Sequence, residues 1–146
     1  MERKTFRIVI DAPREKVWSL LWNHETYPVW TRPFCEGSHA RTDWQKGSRV
    51  YFLWSEKDGM ISSVAENIPN EFMSFRHLGS LKEGVEDFDG PEVKPWAGAM
   101  ENYTLRTVGN GTELAVDMDI HEKHEEYFNT TWPKALEKVK ELAESA

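Results

Sequence analysis

The sequence predicts an α+β domain in which a curved antiparallel sheet of about six to seven strands surrounds a long C-terminal helix, with two short helices after strand one. Three observations predict it. Residues 5–11 alternate cleanly, with Phe6, Ile8 and Ile10 on one face, as a half-buried strand should. Apolar runs of strand length, separated by turn residues, occupy residues 38–120. Phe128, Trp132, Leu136, Val139 and Leu142/Ala143 then recur at helical spacing, and a helix with one apolar stripe needs an apolar sheet face to cover it. The 146 residues make one domain, 1–146, without internal repeat or linker.

After the first strand, Asp11-Ala12-Pro13 reads as a helix start, with Asp11 as cap and Pro13 near the first helical position. Val17, Leu20 and Leu21 follow at helical spacing, and residues 23–30 read as a second short helix or turn, stopped around Pro28 and finished by Pro33. The strand runs are 38–42, 48–57, 60–67, 72–78, 96–108 and 112–120, with Asp58-Gly59 and Asn110-Gly111 as hairpin signals. Residues 81–95, with five acids, two Lys, two Gly and two Pro, read as a long acidic loop. This loop reads either as a solvated insertion or as a mobile flap, Phe88 and Trp96 being large enough to close over an apolar guest. Because a mid-helix proline removes a hydrogen bond, Pro133 places the start of the main helix near 130–132, capped by Thr130 or Thr131, with a separate or kinked turn over 122–129.

Composition narrows the function. Eighteen Lys+Arg against 25 Asp+Glu give a net charge of −7, with no basic run longer than Arg3-Lys4, so no nucleic-acid partner is expected. No membrane span is expected, since no stretch approaches the apolar length required. A single cysteine, Cys35, and the lack of an apolar leader after Met1 point to the cytoplasm. The sequons at Asn102, Asn110 and Asn129 then read as chance matches. Seven Trp, four Tyr and seven Phe exceed what a small core needs, which makes an aromatic-walled cavity an obvious use.

The stretch Asp11-Ala12-Pro13-Arg14-Glu15-Lys16-Val17-Trp18, then Trp30, Trp44-Gln45-Lys46-Gly47-Ser48-Arg49-Val50, Gly109-Asn110-Gly111-Thr112-Glu113-Leu114 and Trp132-Pro133-Lys134-Ala135-Leu136 fall in the order found in START-like (SRPBCC) domains. They most resemble the branch of activator of heat-shock-protein ATPase homologues. The resemblance covers nearly the whole chain and implies a helix-grip fold, whose long helix and sheet enclose a deep, mostly apolar pocket. Residues 81–95 match no motif of that family.

Motifs for catalysis are near misses. His121-Glu122-Lys123-His124 is one residue short of the zinc-protease spacing and reads as a polar turn. Gly109-x-Gly111 lacks the third glycine and following helix of a dinucleotide site. Cys35 has no base placed to hold it as a thiolate and reads as an inert thiol. No metal ligand set or cofactor is implied.

Arg76 and His77 lie on opposite faces of 72–78. Both faces carry apolar residues, so period two does not choose which points inward; an inward Arg76 would anchor an anionic head group. Phe6, Trp18 and Leu20 read as core. Trp30, Phe34, Trp54, Phe75, Trp96, Met100, Tyr103, Met118, Phe128 and Trp132 lie where similar proteins wall their pocket, and with Arg76 they are the expected ligand-binding residues. The leading expectation is a binding protein for a hydrophobic small molecule, aromatic, polyketide-like or lipid-like. One alternative is a cyclase or aromatase using His77 or Tyr103 as general acid or base. Another is a chaperone-interaction role, for which similar proteins carry an additional N-terminal domain. No protein partner is identified.

Overall fold

The structure is a computed structural model that describes residues 1–145. The elements run β1 (Glu2–Ile10), α1 (Arg14–Trp22), α2 (Tyr27–Trp30), β2 (His39–Arg41), β3 (Arg49–Leu53), β4 (Gly59–Ile68), β5 (Phe72–Lys82), β6 (Val85–Asp87), β7 (Met100–Val108), β8 (Gly111–Ile120), a 3₁₀ turn (Glu122–His124) and α3 (Glu125–Glu144). All strand pairs are antiparallel in the order β1-β8-β7-β5-β4-β3-β2, with β6 added to the far half of β5. The expected α+β architecture is present, with one strand more than expected.

β1 shows how the pattern drives the packing. Its inward Phe6 and Ile8 lie opposite Val116 and Leu114 of β8, and Phe6 stacks on Trp132 of α3 at 6.0 Å between ring centres. α3 returns its apolar stripe, with Trp132, Ala135, Leu136, Val139 and Ala143 buried. Burial of such side chains, at roughly 1.5–3 kcal/mol for each large one, holds the helix against the sheet.

Four local expectations are corrected. Asp11 does not cap α1; Pro13 occupies the cap position without a side-chain bond, and the Asp11 N–H donates instead to Glu144 Oε2 at 2.8 Å. Pro28 sits in the first turn of α2 rather than ending it, a place where its missing N–H costs nothing. α3 passes straight through Pro133 and begins at Glu125, so Thr130 and Thr131 are interior residues. Its buried stripe outweighs one lost backbone bond. Residues 81–95 are not a structureless loop: β5 continues to Lys82, turns at Glu83-Gly84 and pairs back as β6. Gly79 makes this possible, since a Cβ there would lie 2.2 Å from the Asp87 carbonyl oxygen. Asp87 Oδ1 then accepts from the Gly90 N–H at 2.9 Å, and buried Val93 pins the following turn. Phe88 packs beneath the Arg49 guanidinium, 5.2 Å from the ring centre, and takes no part in the cavity wall.

Candidate functional site

Strand register decides which side chains face the helix. In β5 and β7, Phe75 lies opposite Glu101 and Met73 opposite Tyr103 on the inner face, while Arg76 opposes Met100 and Ser74 opposes Asn102 on the outer one. Met118 of β8 falls beside Glu101. One half of this inner face is filled. Trp22 of α1 sits 5.0 Å from Trp44, 5.5 Å from Phe75 and 4.9 Å from Tyr103 between ring centres, mostly in edge-to-face contacts.

The other half is hollow. A cavity of about 460 Å³ lies between the sheet and the N-terminal half of α3, within the range of small-molecule sites. Its floor comes from Phe52, His77, Glu101, Tyr103 and Met118. Tyr27 and Trp30 of α2, Thr31 that caps it and Phe34 of the next loop close one side, while Tyr127, Phe128 and Trp132 of α3 form the roof. Phe34 and Trp132 meet edge to face at 4.8 Å, and the Tyr127 hydroxyl donates to the Phe34 carbonyl at 2.6 Å. Half-exposed Trp54 and partly buried Trp96 stand at the rim.

A chain of polar side chains runs along this floor. Ser62 Oγ lies 2.7 Å from His77 Nδ1, and His77 Nε2 lies 3.2 Å from Glu101 Oε1. The Tyr103 hydroxyl donates to Glu101 Oε2 at 2.5 Å. A carboxylate only accepts, so Nε2 carries a proton, and Nδ1 shares the second hydrogen bond with the Ser62 hydroxyl. Ser62 is fully buried behind the ring and lies outside the cavity wall, which removes it as a nucleophile. Burial, reinforced by the Glu101 charge, raises the pKa of both Tyr27 and Tyr103 well above the ordinary value, so both stay protonated. Near the mouth, burial would raise Asp119, but the Arg3 guanidinium at 2.8 Å and the Met100 N–H at 2.9 Å lower it on balance. Among the described residues no group of three or more His, Cys, Asp or Glu could hold a metal ion, and no helix is long and apolar enough to cross a membrane.

The family model for activator of Hsp90 ATPase homologue 1-like proteins matches residues 11–144. The chain belongs to this family. Structural similarity agrees with it. The solution structure of the Aha1 dimer from Colwellia psychrerythraea is 24% identical, with a TM-score of 0.73 over 99% of this chain and 97% of that one. DynU16, a putative protein in the dynemicin biosynthetic locus, is 16% identical with a TM-score of 0.73; 99% of this chain covers 48% of it. CalU16 from Micromonospora echinospora is 14% identical, with a TM-score of 0.69 over 97% of this chain and 74% of that one. No curated protein matches the chain in sequence.

In this Hsp90-activator-like chain, Trp30, Phe34, Trp54 and Trp96 line the cavity, as do Tyr103, Met118, Phe128 and Trp132. Three expected residues do not. Phe75 is fully buried in the filled half, where Trp22, Trp44 and Phe52 surround it. Arg76 is exposed on the outer sheet face, and Met100 is its cross-strand neighbour there. The inward member of the Arg76-His77 pair is therefore His77. Sequence reading also passed over Tyr27, Phe52 and Glu101. Glu101 had a legible signal: Glu101-x-Tyr103-x-Leu105 places an acid in phase with the apolar face of β7.

Proposed function

We propose that this family member binds a hydrophobic small molecule in the cavity beneath α3. The observation that carries the reading is a partly open, largely aromatic cavity of about 460 Å³ in which the polar Glu101–His77 pair is set. Apolar area taken from water there contributes about 25 cal/mol per Å², and the few polar groups fix orientation. Trp30, Phe34, Phe128 and Trp132 are proposed as the stacking surfaces, with Trp54 and Trp96 as rim contacts. A putative protein of a biosynthetic locus among the structural neighbours is consistent with such a role. The test is titration of flavonoids, polyketides and fatty acids, read by tryptophan fluorescence and amide chemical shifts. Saturable shifts around Trp96, Trp132 and Met118 are expected; no response to any of them overturns the reading.

One observation favours a second reading, an enzyme of the cyclase type. Glu101 and His77 are ionisable groups within hydrogen-bond reach of each other on the cavity wall, as general acid–base catalysis requires. Turnover of a bound polyketide that vanishes in Glu101→Gln while binding persists would select it over simple binding.

A further inference from the structure

We propose that the polar end of the guest is a hydrogen-bond donor, a phenol or a protonated amine bound by the Glu101 carboxylate, and that ligands ending in a carboxylate are rejected. This rests on the cavity being a ligand site.

Among the described residues, the cavity wall contains no Lys or Arg. Arg76, the cation that could have served an anionic head group, is on the outer face of the sheet. Arg3 is engaged by Asp119, whose second oxygen already accepts from the Met100 N–H, so that acid is compensated within the chain. Glu101 differs. Its two partners are His77 and the Tyr103 hydroxyl, both hydrogen-bond donors, and at pH 8, where a histidine is ordinarily neutral, neither cancels its charge. A carboxylate offers about four acceptor positions, of which two are filled. Tyr27 and Tyr103 are held in their protonated form, which leaves Glu101 as the anionic group on the cavity floor.

A ligand carboxylate would thus lose its water in a low-dielectric space facing a like charge, with no cation to receive it. A donor gains a charge-assisted bond. The surrounding rings of Tyr27, Trp30, Phe52 and Trp132 suit either donor, since their faces stack on an aromatic guest and attract a cation.

Three probes with one ring system separate these chemistries: 2-naphthol, 2-naphthylmethylamine and 2-naphthoate, titrated calorimetrically at pH 8, where histidine is ordinarily neutral. This pH matters because His77, His121 and His124 are the basic groups on the wall. In the native protein the naphthol or the amine should bind about tenfold or more tightly than the naphthoate. The stronger of the two identifies the donor. Glu101→Gln should bring the three within about threefold of one another, because the repelling charge is gone. Tyr103→Phe keeps the carboxylate and frees one of its acceptor positions, so the gap should persist or widen. Naphthoate binding as tightly as the other two in the native protein overturns the inference and leaves the cavity reading intact. Failure of all three probes to bind overturns both. A gap unchanged in folded Glu101→Gln, or one that collapses in Tyr103→Phe, also refutes the assignment to Glu101.

Discussion

Beneath α1 and beneath the N-terminal half of α3, the same sheet presents the same kinds of side chain, but one half is solid and the other hollow. Under α1, Trp22 projects into the space between Trp44, Phe75 and Tyr103 and fills it, meeting Phe75 and Tyr103 edge to face and Trp44 at a tilt. Under α3, Phe34, Phe128 and Trp132 pack against one another around the edge of the space, and the middle stays open. The polar groups differ as well. In the solid half the indole N–H groups of Trp22 and Trp44 are buried without a partner among the described residues. In the hollow half Ser62, His77, Glu101 and Tyr103 satisfy one another. Aromatic content alone therefore does not separate a core from a cavity; what separates them is whether a side chain from the covering helix reaches the centre.

The largest expected effect breaks the solid half. Trp22→Ala should destabilise the fold by about 3–5 kcal/mol, because it removes the ring that fills the space. Trp54→Ala at the half-exposed rim should cost less than about 1 kcal/mol. Urea denaturation checks the pair, and equal losses would erase the distinction between the halves.

Next comes the polar floor. His77→Ala leaves the buried Ser62 hydroxyl without a partner and takes one donor from Glu101, a loss of about 1–3 kcal/mol in unfolding free energy. A smaller effect on stability sharpens the contrast. Ala99→Leu adds volume to the wall of the void rather than to a packed site, so stability should stay within about 1 kcal/mol while titration with any guest loses its signal. Destabilisation by several kcal/mol would mean that the space around Ala99 is already full.

The smallest effect is absent at neutral pH. Tyr27 and Tyr103 have raised pKa values in the folded protein, so each contributes stability that is fully present below the unfolded value near pH 10 and is lost as pH rises through the folded one. Unfolding free energy measured from pH 8 to 11 should fall, and less steeply in Tyr103→Phe. An identical slope in that variant would contradict the burial of its hydroxyl.

How far the site could be read from sequence depended on whether one face of an element was plainly polar. β1 and β8 alternate without ambiguity, and their expected extents lie within two or three residues of those observed. β5 does not alternate in this way. Phe72, Met73, Phe75 and Leu78 place apolar groups on both faces, and the register shift between Val64 and Glu66 is set by the neighbouring strand, so the choice between Arg76 and His77 lay outside 72–78 itself. β6 was hidden because its Val85-Glu86-Asp87 is mostly acidic and its pairing depends on the bare Cα of Gly79, which alternation of apolar residues does not signal. Pro133 misled for the opposite reason: a local rule about one hydrogen bond was applied where a buried stripe on both sides of the proline decided the outcome.

That proline also bears on how firmly α3 is held over the cavity. The C-terminal half of α3 is tied down by the Lys140 ammonium on the Val9 carbonyl at 3.2 Å, by Glu144 on the Asp11 N–H and by Lys16 on the Ser145 carbonyl at 3.0 Å. The half over the cavity is held by buried Trp132, which stacks on Phe6 and donates to Met118 Sδ at 2.9 Å, by the Tyr127 hydroxyl on the Phe34 carbonyl, and by an exposed Lys4–Glu125 ion pair, the last a weak restraint. Between the two halves, Pro133 offers no N–H to the Asn129 carbonyl. Any lifting of the turns ahead of Pro133 would therefore cost one backbone hydrogen bond fewer than in an unbroken helix, and its main cost would be the packing of Trp132.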